Sequence, residues 1–343
     1  MRGLKKKLIP AKFNETIGLQ HCKLYVFDDS VIVSGANLST DYFTNRQDRY
    51  VLIEDCEPLA TFCEDFVRKL GQFSLELKNN GDFRVHGTHP FLGDYQEYVS
   101  QVKRDISSWL QSQKQQNRLC YDPSAKSFEQ SRKGQDTWIF PSIQMGPFGI
   151  NHDGELTTKF LRSGAQGSTF KFATGYFNLT RNYQNVIIGS SKASFESLCA
   201  HPSANGFLNA RWPAGGIPHA YSLILRQFYN AVSQAGQQSR VSLHEYIRPG
   251  WTFHGKGLWY YLPGAKYPFA TMVGSANFGY RSIEKDLEAQ MTIVTCNEKL
   301  QKSLHEEQSH LFESSEAVTE KSLKERQIPL WVHCVVALFR KLF

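Results

Sequence analysis

His21-Cys22-Lys23-Leu24-Tyr25-Val26-Phe27-Asp28, followed by Ser34-Gly35-Ala36-Asn37, returns later in the chain as His254-Gly255-Lys256-Gly257-Leu258-Trp259-Tyr260, followed by Gly274-Ser275-Ala276-Asn277. In both copies an acid lies eleven residues beyond the asparagine, Asp48 in the first and Glu288 in the second. His to Asn is 16 residues in copy one and 23 in copy two. The seven extra residues fall around Pro263-Gly264, a turn signal, so they lengthen a hairpin loop. Lys23 to Phe27 is a β-branched and aromatic run, Asp28-Asp29-Ser30 a turn, and Val31-Ile32-Val33 the return strand. Each copy therefore reads as a β-hairpin.

Residues two apart share a face of a strand, so His21 and Lys23 point one way, as do His254 and Lys256. Imidazole and ammonium side by side compete for anions and make a poor structural pair. Together they suit a phosphate, with lysine neutralising the non-bridging oxygens while histidine approaches phosphorus. Ser34, Asn37, Ser275 and Asn277 on the return strands are expected to add hydrogen bonds to those oxygens. One H-x-K triplet occurs by chance. Two, each followed by the same small-residue and asparagine element and then by an acid at the same distance, do not. Duplicated hairpins that only preserve packing would not need a charged pair on a strand at both places.

Outward from the repeat, the chain has 343 residues, 41% hydrophobic and 21% charged, a globular composition that excludes disordered, collagen-like and coiled-coil chains. That length suits two domains or one large α/β domain. The formal charge of +7 favours phosphate-rich partners without choosing among nucleic acid, anionic lipid and nucleotide, and surplus solubilising lysines explain it equally well. Seven cysteines form no CxxC pair and no zinc-like spacing, so they read as free thiols in a reducing compartment. No run approaches the roughly 20 apolar residues of a membrane span, and the first residues do not read as a secretory signal peptide. The basic first residues, without an acid until Glu15, look somewhat like a transit peptide but are short and poor in serine.

Between the repeats, Tyr95 to Gln115 reads as helix and Ser112 to Gly134 as a polar linker. Glu155 to Arg162 reads as a helix, Phe170 to Tyr176, Val241 to Tyr246 and Gln290 to Val294 as strands, and Gln184 to Cys199 and Ala220 to Gln234 as further helix and strand. Alternating strands and helices give an α/β layered fold. The new unit opens near Trp138, 116 residues before His254, whereas only 20 residues precede His21. If the halves share one fold, the first is incomplete, and truncation of the start is the favoured explanation, because a hairpin without neighbouring strands leaves an open sheet edge.

The paired motifs resemble the phospholipase D superfamily, whose pattern is H-x-K-x4-D with a Gly-Ser-x-Asn element. More specifically, Asn14-Glu15-Thr16-Ile17-Gly18-Leu19-Gln20-His21, Tyr42 to Tyr50, Thr174 to Thr180, Gly250 to His254 and Asn277 to Ser282 are similar to the eukaryotic mitochondrial phosphatidylglycerophosphate synthase family. The resemblance weakens between Asn79 and Gln135 and after Glu313. It implies a phospholipase D-like α/β fold of two pseudo-repeated halves, each a mixed sheet flanked by helices. Residues 1–135 would be the incomplete first half with its linker, and 136–343 the second half with a C-terminal amphipathic helix. Family members carry an additional N-terminal region, in agreement with the expected truncation.

The resemblance also implies transfer of a phosphatidyl group from CDP-diacylglycerol to glycerol 3-phosphate, at the mitochondrial inner membrane, with attachment to an anionic membrane surface and no cofactor. Two lysines and the hydrogen-bond donors would supply the charge a metal would otherwise bring. His21, Lys23, Asp28, His254 and Lys256 are the implied catalytic set, with His21 as nucleophile and His254 as acid. Asp48 and Glu288 would orient the imidazoles, though which acid serves which histidine is open. Copy two has Tyr261 where the motif has aspartate, so Asp28 reads mainly as shaping the strand end. Copy one exchanges serine and glycine relative to Gly274-Ser275, which puts the place of Ser34 in question. Hydrolysis by a phospholipase or nuclease of the same superfamily is the alternative enzyme reading, although aromatic and basic residues interleave too sparsely for nucleic acid. A catalytically incomplete fragment that binds the whole enzyme or a membrane is the other.

Weaker features carry no assignment. His86 and His89 read as solvated loop residues, and Gly189-Ser190-Ser191-Lys192 lacks P-loop spacing. Trp251 and Phe253 suit core packing better than a lipid channel. Leu330 to Phe343 suits a short helix, either in a membrane interface or packed on the core.

Overall fold

The computed structural model describes residues 18–118, 135–211 and 214–343. The first motif forms an antiparallel hairpin of β1 (Leu24–Phe27) and β2 (Ser30–Ser34), with Leu24 opposite Val33 and Phe27 opposite Ser30. Asp28 sits at its tip with φ of 48°, a left-handed value that aspartate tolerates better than most residues. A single helical turn, α1 (Asp41–Thr44), and the two-residue β3 (Arg46–Gln47) lead to β4 (Tyr50–Ile53), which pairs antiparallel with β2. Next come α2 (Glu57–Gln72), with Pro58 in its first turn where no N–H is needed, a small hairpin of β5 (Leu75–Leu77) and β6 (Phe83–Val85), and α3 (Tyr95–Arg118). α3 runs three residues past its expected end, because the polar stretch there is built of helix-tolerant glutamine, lysine and arginine. The rest of the expected linker, and Asn14 to Ile17 of the first family-like stretch, lie outside the described residues.

The remaining strands are β7 (Thr137–Met145), β8 (Thr169–Thr174), β9 (Ser194–Ala200), β10 (Val241–Tyr246), β11 (Thr252–Phe253), β12 (Lys256–Tyr261), β13 (Ala270–Gly274), β14 (Leu287–Thr295) and β15 (Ser315–Ala317). Eight of them form one sheet in the order β15-β10-β9-β8-β12-β13-β14-β7. Helices α4 (His152–Arg162), α5 (Arg181–Asn185), α6 (Ile217–Gln234), α7 (Tyr280–Glu284), α8 (Glu298–Glu313), α9 (Glu320–Lys324) and α10 (Leu330–Phe339) complete the half. The second hairpin is β12-β13, and β12-β13-β14 repeats the order and antiparallel sense of β1-β2-β4. β8, β9 and β10 run parallel to one another, so the large sheet is mixed, as expected. The small sheet is wholly antiparallel, a correction to the expectation of two mixed sheets. The parallel strands beyond β12 have no counterpart beyond β1 among the described residues.

One apolar core joins the two sheets. Val31, Val33, Phe66, Ile106 and Trp109 pack in the same cluster as Ile143, Val273, Ala289 and Met291. At about 1.5–3 kcal/mol for each large apolar side chain buried, this contact holds one motif against the other. Of the two placements expected for the C-terminal segment, α10 shows packing on the core. Val332 and Val336 pack on Ala220, Leu223 and Ile224 of α6, while Leu330, Trp331, Leu338 and Phe339 remain exposed. No described helix is long and apolar enough to cross a membrane.

Gly257 in β12 has φ of 150°, and a Cβ there would lie 1.8 Å from the Arg49 guanidinium and 2.7 Å from the Met272 carbonyl. Gly257→Ala is expected to cost at least about 1–3 kcal/mol through overpacking, read as a lowered thermal midpoint. An unchanged midpoint would contradict the placement of Arg49 across this strand.

Candidate active site

Each histidine ends a short extended segment that is hydrogen-bonded to the other half of the chain. The His21 N–H donates to the Leu287 carbonyl at 2.8 Å, and the His254 N–H to the Gln47 carbonyl at 2.8 Å. Leu287 immediately precedes Glu288, and Gln47 immediately precedes Asp48. The backbone thus hangs each histidine beside the opposite half's acid, and the side chains follow. His21 Nδ1 donates to Glu288 Oε2 at 2.8 Å, and His254 Nδ1 to Asp48 Oδ2 at 2.7 Å. The question left open by the sequence has a crosswise answer.

Lys23 and Lys256 are both buried on the faces of their histidines. Lys23 Nζ donates to the His21 carbonyl at 2.7 Å. Lys256 Nζ donates to the His254 carbonyl at 2.9 Å and lies 3.1 Å from His254 Nε2. Lys256 also packs against the first motif, since a Cβ on Gly35 would touch its Cδ at 2.8 Å.

The return-strand residues divide. Ser34 and Ser275 were expected to reach substrate, but both hydroxyls are buried and engaged. Ser34 Oγ donates to the Arg49 carbonyl at 2.6 Å, and Ser275 Oγ to the Ala289 carbonyl at 3.3 Å. Each acceptor is the residue after the orienting acid, so the exchanged serine and glycine preserve one job, which is tying the return strand to the acid's strand. Asn37 Nδ2 donates to the Tyr42 hydroxyl at 3.2 Å. Asn277 uses its backbone N–H on Ser282 Oγ, and its side-chain Oδ1 is buried without a partner. Asp28 is not brought to the site. It is exposed at the hairpin tip, a full strand away from His21.

Burial and charge set the protonation states. Burial, with the like charge of Lys256, lowers Lys23 to about 7. Lys256 is lowered by burial to about 8 against the pull of Asp48 and Glu288. His254 falls to about 3, through burial first and the adjoining Lys256 second, so it is neutral in the ligand-free site. Burial opposes ionisation of Glu288, yet His21 outweighs it and holds the carboxyl at about 2. Asp48 is likewise held below its usual range, with Lys256 and His254 overcoming burial. The crosswise hydrogen bonds bring the two motifs together at one place.

Several contributors carried no sequence signal of a role. Tyr42 and Tyr176 present edge-to-face contacts to the His254 ring, with centroids 5.1 and 5.5 Å away. Arg49, next to Asp48, is almost wholly buried. It bonds both oxygens of Glu307 at 2.8 Å and donates to the Met272 carbonyl at 2.8 Å, anchoring the Asp48 strand in the second half. Tyr42, Tyr176 and Arg49 all lie in family-like stretches, but nothing in their spacing turns them toward His254 or buries them. His21, Asp286 and Glu288 offer ligand atoms within 4.8 Å of one another, the geometry of a cation site. Asp286 Oδ1, however, accepts from the Leu19 N–H and from Arg281, and Glu288 from His21, so this cluster is already neutralised by protein cations and donors.

Two buried lysines with lowered pKa beside two imidazoles suit a phosphate anion. A depressed lysine pKa means that the unfolded chain holds the proton longer, so the ligand-free protein gains stability as pH rises from about 7 toward the ordinary lysine value. An anion binds the charged lysines and reverses this. Inorganic phosphate is expected to raise the thermal midpoint more at pH 6 than at pH 9, and Lys23→Met to flatten the difference. Equal stabilisation at both pH values would mean that phosphate binds elsewhere.

No model of a known protein family matches the chain. Among curated proteins, it is 45% identical to the mitochondrial CDP-diacylglycerol–glycerol-3-phosphate 3-phosphatidyltransferase of Pongo abelii and 44% identical to that of Homo sapiens, over 100% of the chain in both cases. The Saccharomyces cerevisiae protein of that name is 29% identical over 92% of the chain. The chain spans about 64% of the length of each of these relatives. Among solved structures, a phosphatidylserine synthase of Haemophilus influenzae superposes with a TM-score of 0.65 at 18% identity, over 96% of this chain and 70% of that one, a likeness of fold. Over its whole length the chain is thus similar to about 64% of these CDP-diacylglycerol–glycerol-3-phosphate 3-phosphatidyltransferases, and it shares the fold of the phosphatidylserine synthase.

Proposed function

We propose that the two-histidine site transfers a phosphatidyl group from CDP-diacylglycerol to glycerol 3-phosphate, giving phosphatidylglycerophosphate and CMP. The observation that carries this reading is the crosswise pairing of two imidazoles with two buried carboxylates beside two buried lysines. In the first step His21 Nε2 attacks the diacylglycerol-linked phosphorus. The bond from phosphorus to the CMP oxygen breaks, and that oxygen takes a proton from His254. In the second step His254 takes the proton of the glycerol 3-phosphate hydroxyl, whose oxygen attacks phosphorus, and the bond to His21 breaks. Glu288 and Asp48 hold Nδ1–H of each ring and keep Nε2 toward the phosphate.

His21 suits the nucleophile because its Nε2 has no hydrogen-bond partner among the described residues. His254 Nε2 is approached by Lys256 at 3.1 Å and by the Tyr42 hydroxyl at 3.4 Å. As the acid, His254 must gain a proton when substrate arrives. The phosphate anion favours that directly and also draws Lys256 away from the ring, so donor binding is coupled to proton uptake. Lys23 and Lys256 then neutralise charge developing on phosphorus.

We also propose a mitochondrial location and a peripheral hold on an anionic membrane. The Pongo abelii and Homo sapiens relatives are named mitochondrial, and the outer face of α10 exposes Leu330, Trp331, Leu338 and Phe339 with Arg340 and Lys341 beside them.

The expected result with the purified protein is CMP release from CDP-diacylglycerol that depends on glycerol 3-phosphate. Release independent of it would favour the hydrolase reading, and no release at all the binding-fragment reading. Lys23→Ala and Lys256→Ala should each raise the barrier by roughly 2–4 kcal/mol with the fold intact. His254→Ala should slow CMP departure by about 10²–10⁴-fold and be partly rescued by a donor with a better leaving group, whereas His21→Ala should not be rescued. Labelled phosphatidyl group trapped on His254 instead of His21 would reverse the two roles.

A further inference from the structure

The acceptor in this reaction brings a phosphate that is never transferred. In the proposed transfer the two H-x-K pairs serve the phosphate that is. We infer that Arg46 recognises the phosphate of glycerol 3-phosphate, forming an acceptor subsite beside His254; this rests on the phosphatidyl-transfer reading above.

Arg46 lies on β3, directly before Gln47, whose carbonyl holds the His254 N–H. β3 runs parallel to β11, with Arg46 opposite Thr252. The side chain is 21% exposed, so solute can reach it without its being a free surface group. Its Nε–H donates to Thr252 Oγ1 at 3.0 Å, and its guanidinium carbon lies 4.9 Å from the Tyr42 ring centroid. Both contacts fix the group and leave its charge in place. The acid nearest to it is Asp41, at 3.5 Å and 59% exposed, a long and solvent-screened pair. Neighbouring arginines are different. Arg49 is bidentate to Glu307 at 2.8 Å, and Arg281 pairs with Asp286 at 3.1 Å.

The distances suit the acceptor. The Tyr42 ring centroid is 5.1 Å from that of His254, and the Arg46 guanidinium carbon is 4.9 Å from the Tyr42 centroid, so the guanidinium lies within 10.0 Å of the His254 ring. A glycerol 3-phosphate whose free hydroxyl is held by His254 places its phosphorus about 6 Å away, five bonds of roughly 1.5 Å in extended form. A charge-assisted contact of about 2.7–2.9 Å from guanidinium to phosphate oxygen covers the remainder. The phosphate of departing CMP is bonded to the very oxygen that His254 protonates, which places it closer to Lys256. Tyr42, with its hydroxyl 3.4 Å from His254 Nε2, and Tyr176, whose hydroxyl borders Gly206 together with Arg46, wall the path between the two ends of the acceptor.

The test is steady-state kinetics of the complete protein with Arg46→Gln, Arg46→Lys and Asp41→Asn, each checked for an unchanged thermal midpoint. Arg46→Gln is expected to raise KM for glycerol 3-phosphate about 10- to 100-fold, the effect of losing a hydrogen bond to a charged group. KM for CDP-diacylglycerol and the slow CMP release without acceptor should stay near the wild-type values. Arg46→Lys should recover part of the loss. Asp41→Asn, an exposed change that removes the competing carboxylate, should lower KM for glycerol 3-phosphate. Glycerol, which lacks the phosphate, should serve Arg46→Gln as well as it serves the wild type. An unchanged KM for glycerol 3-phosphate in folded Arg46→Gln overturns the inference. So does equal slowing of acceptor-free CMP release, which would assign Arg46 to the leaving CMP phosphate. A wild type whose CMP release ignores glycerol 3-phosphate overturns the transfer reading, and the inference falls with it.

Discussion

Two short hydrogen bonds between halves, His21 to Glu288 and His254 to Asp48, constrain everything else at the site. Each joins residues more than 200 positions apart, and each is set by a backbone hydrogen bond one residue away. Because the pairing is crosswise, neither half contains a working imidazole–carboxylate unit alone. The apolar core shared by the small and large sheets is therefore a requirement of the chemistry as well as of stability. Arg49 serves the same end, since its bonds to Glu307 and the Met272 carbonyl keep the strand carrying Asp48 seated in the second half.

Electrostatic balance explains how so many ionisable groups coexist out of water. Lys23 and Lys256 lie beside Asp48 and Glu288, so the buried carboxylates are offset within the site. Unpaired buried charges would be far more costly. The lysines are nonetheless poised close to neutrality. An arriving phosphate anion finds groups whose charged forms it stabilises. In the proposed transfer, substrate binding recharges the lysines and supplies His254 with its proton.

Much of this was legible in the sequence because it is local. The hairpins, the helix from Tyr95, the strand Val241–Tyr246 and the His, Lys and acid positions all follow from period, turn residues and repeat spacing. Which acid meets which imidazole was not legible, since it depends on pairing between distant segments that leaves no periodic trace. The partners of the serines were not legible for a related reason. A hydroxyl on a strand bonds whatever the neighbouring strand presents, and Ser34 and Ser275 meet carbonyls. Arg49 reads in sequence like any solvated arginine, and only tertiary structure reveals it as buried. Asp28 owes its place in the motif to a turn, as the tyrosine at the matching position of copy two hinted.

The crosswise pairing can be observed directly by nuclear magnetic resonance of the histidine ring nitrogens and their bound protons. A ring N–H donated to a buried carboxylate has a distinctive, slowly exchanging signal. The His21 signal should disappear in Glu288→Gln and persist in Asp48→Asn, while the His254 signal does the opposite. Loss of the His21 signal in Asp48→Asn with persistence in Glu288→Gln would mean that each acid serves its own half, contradicting the interlocked site.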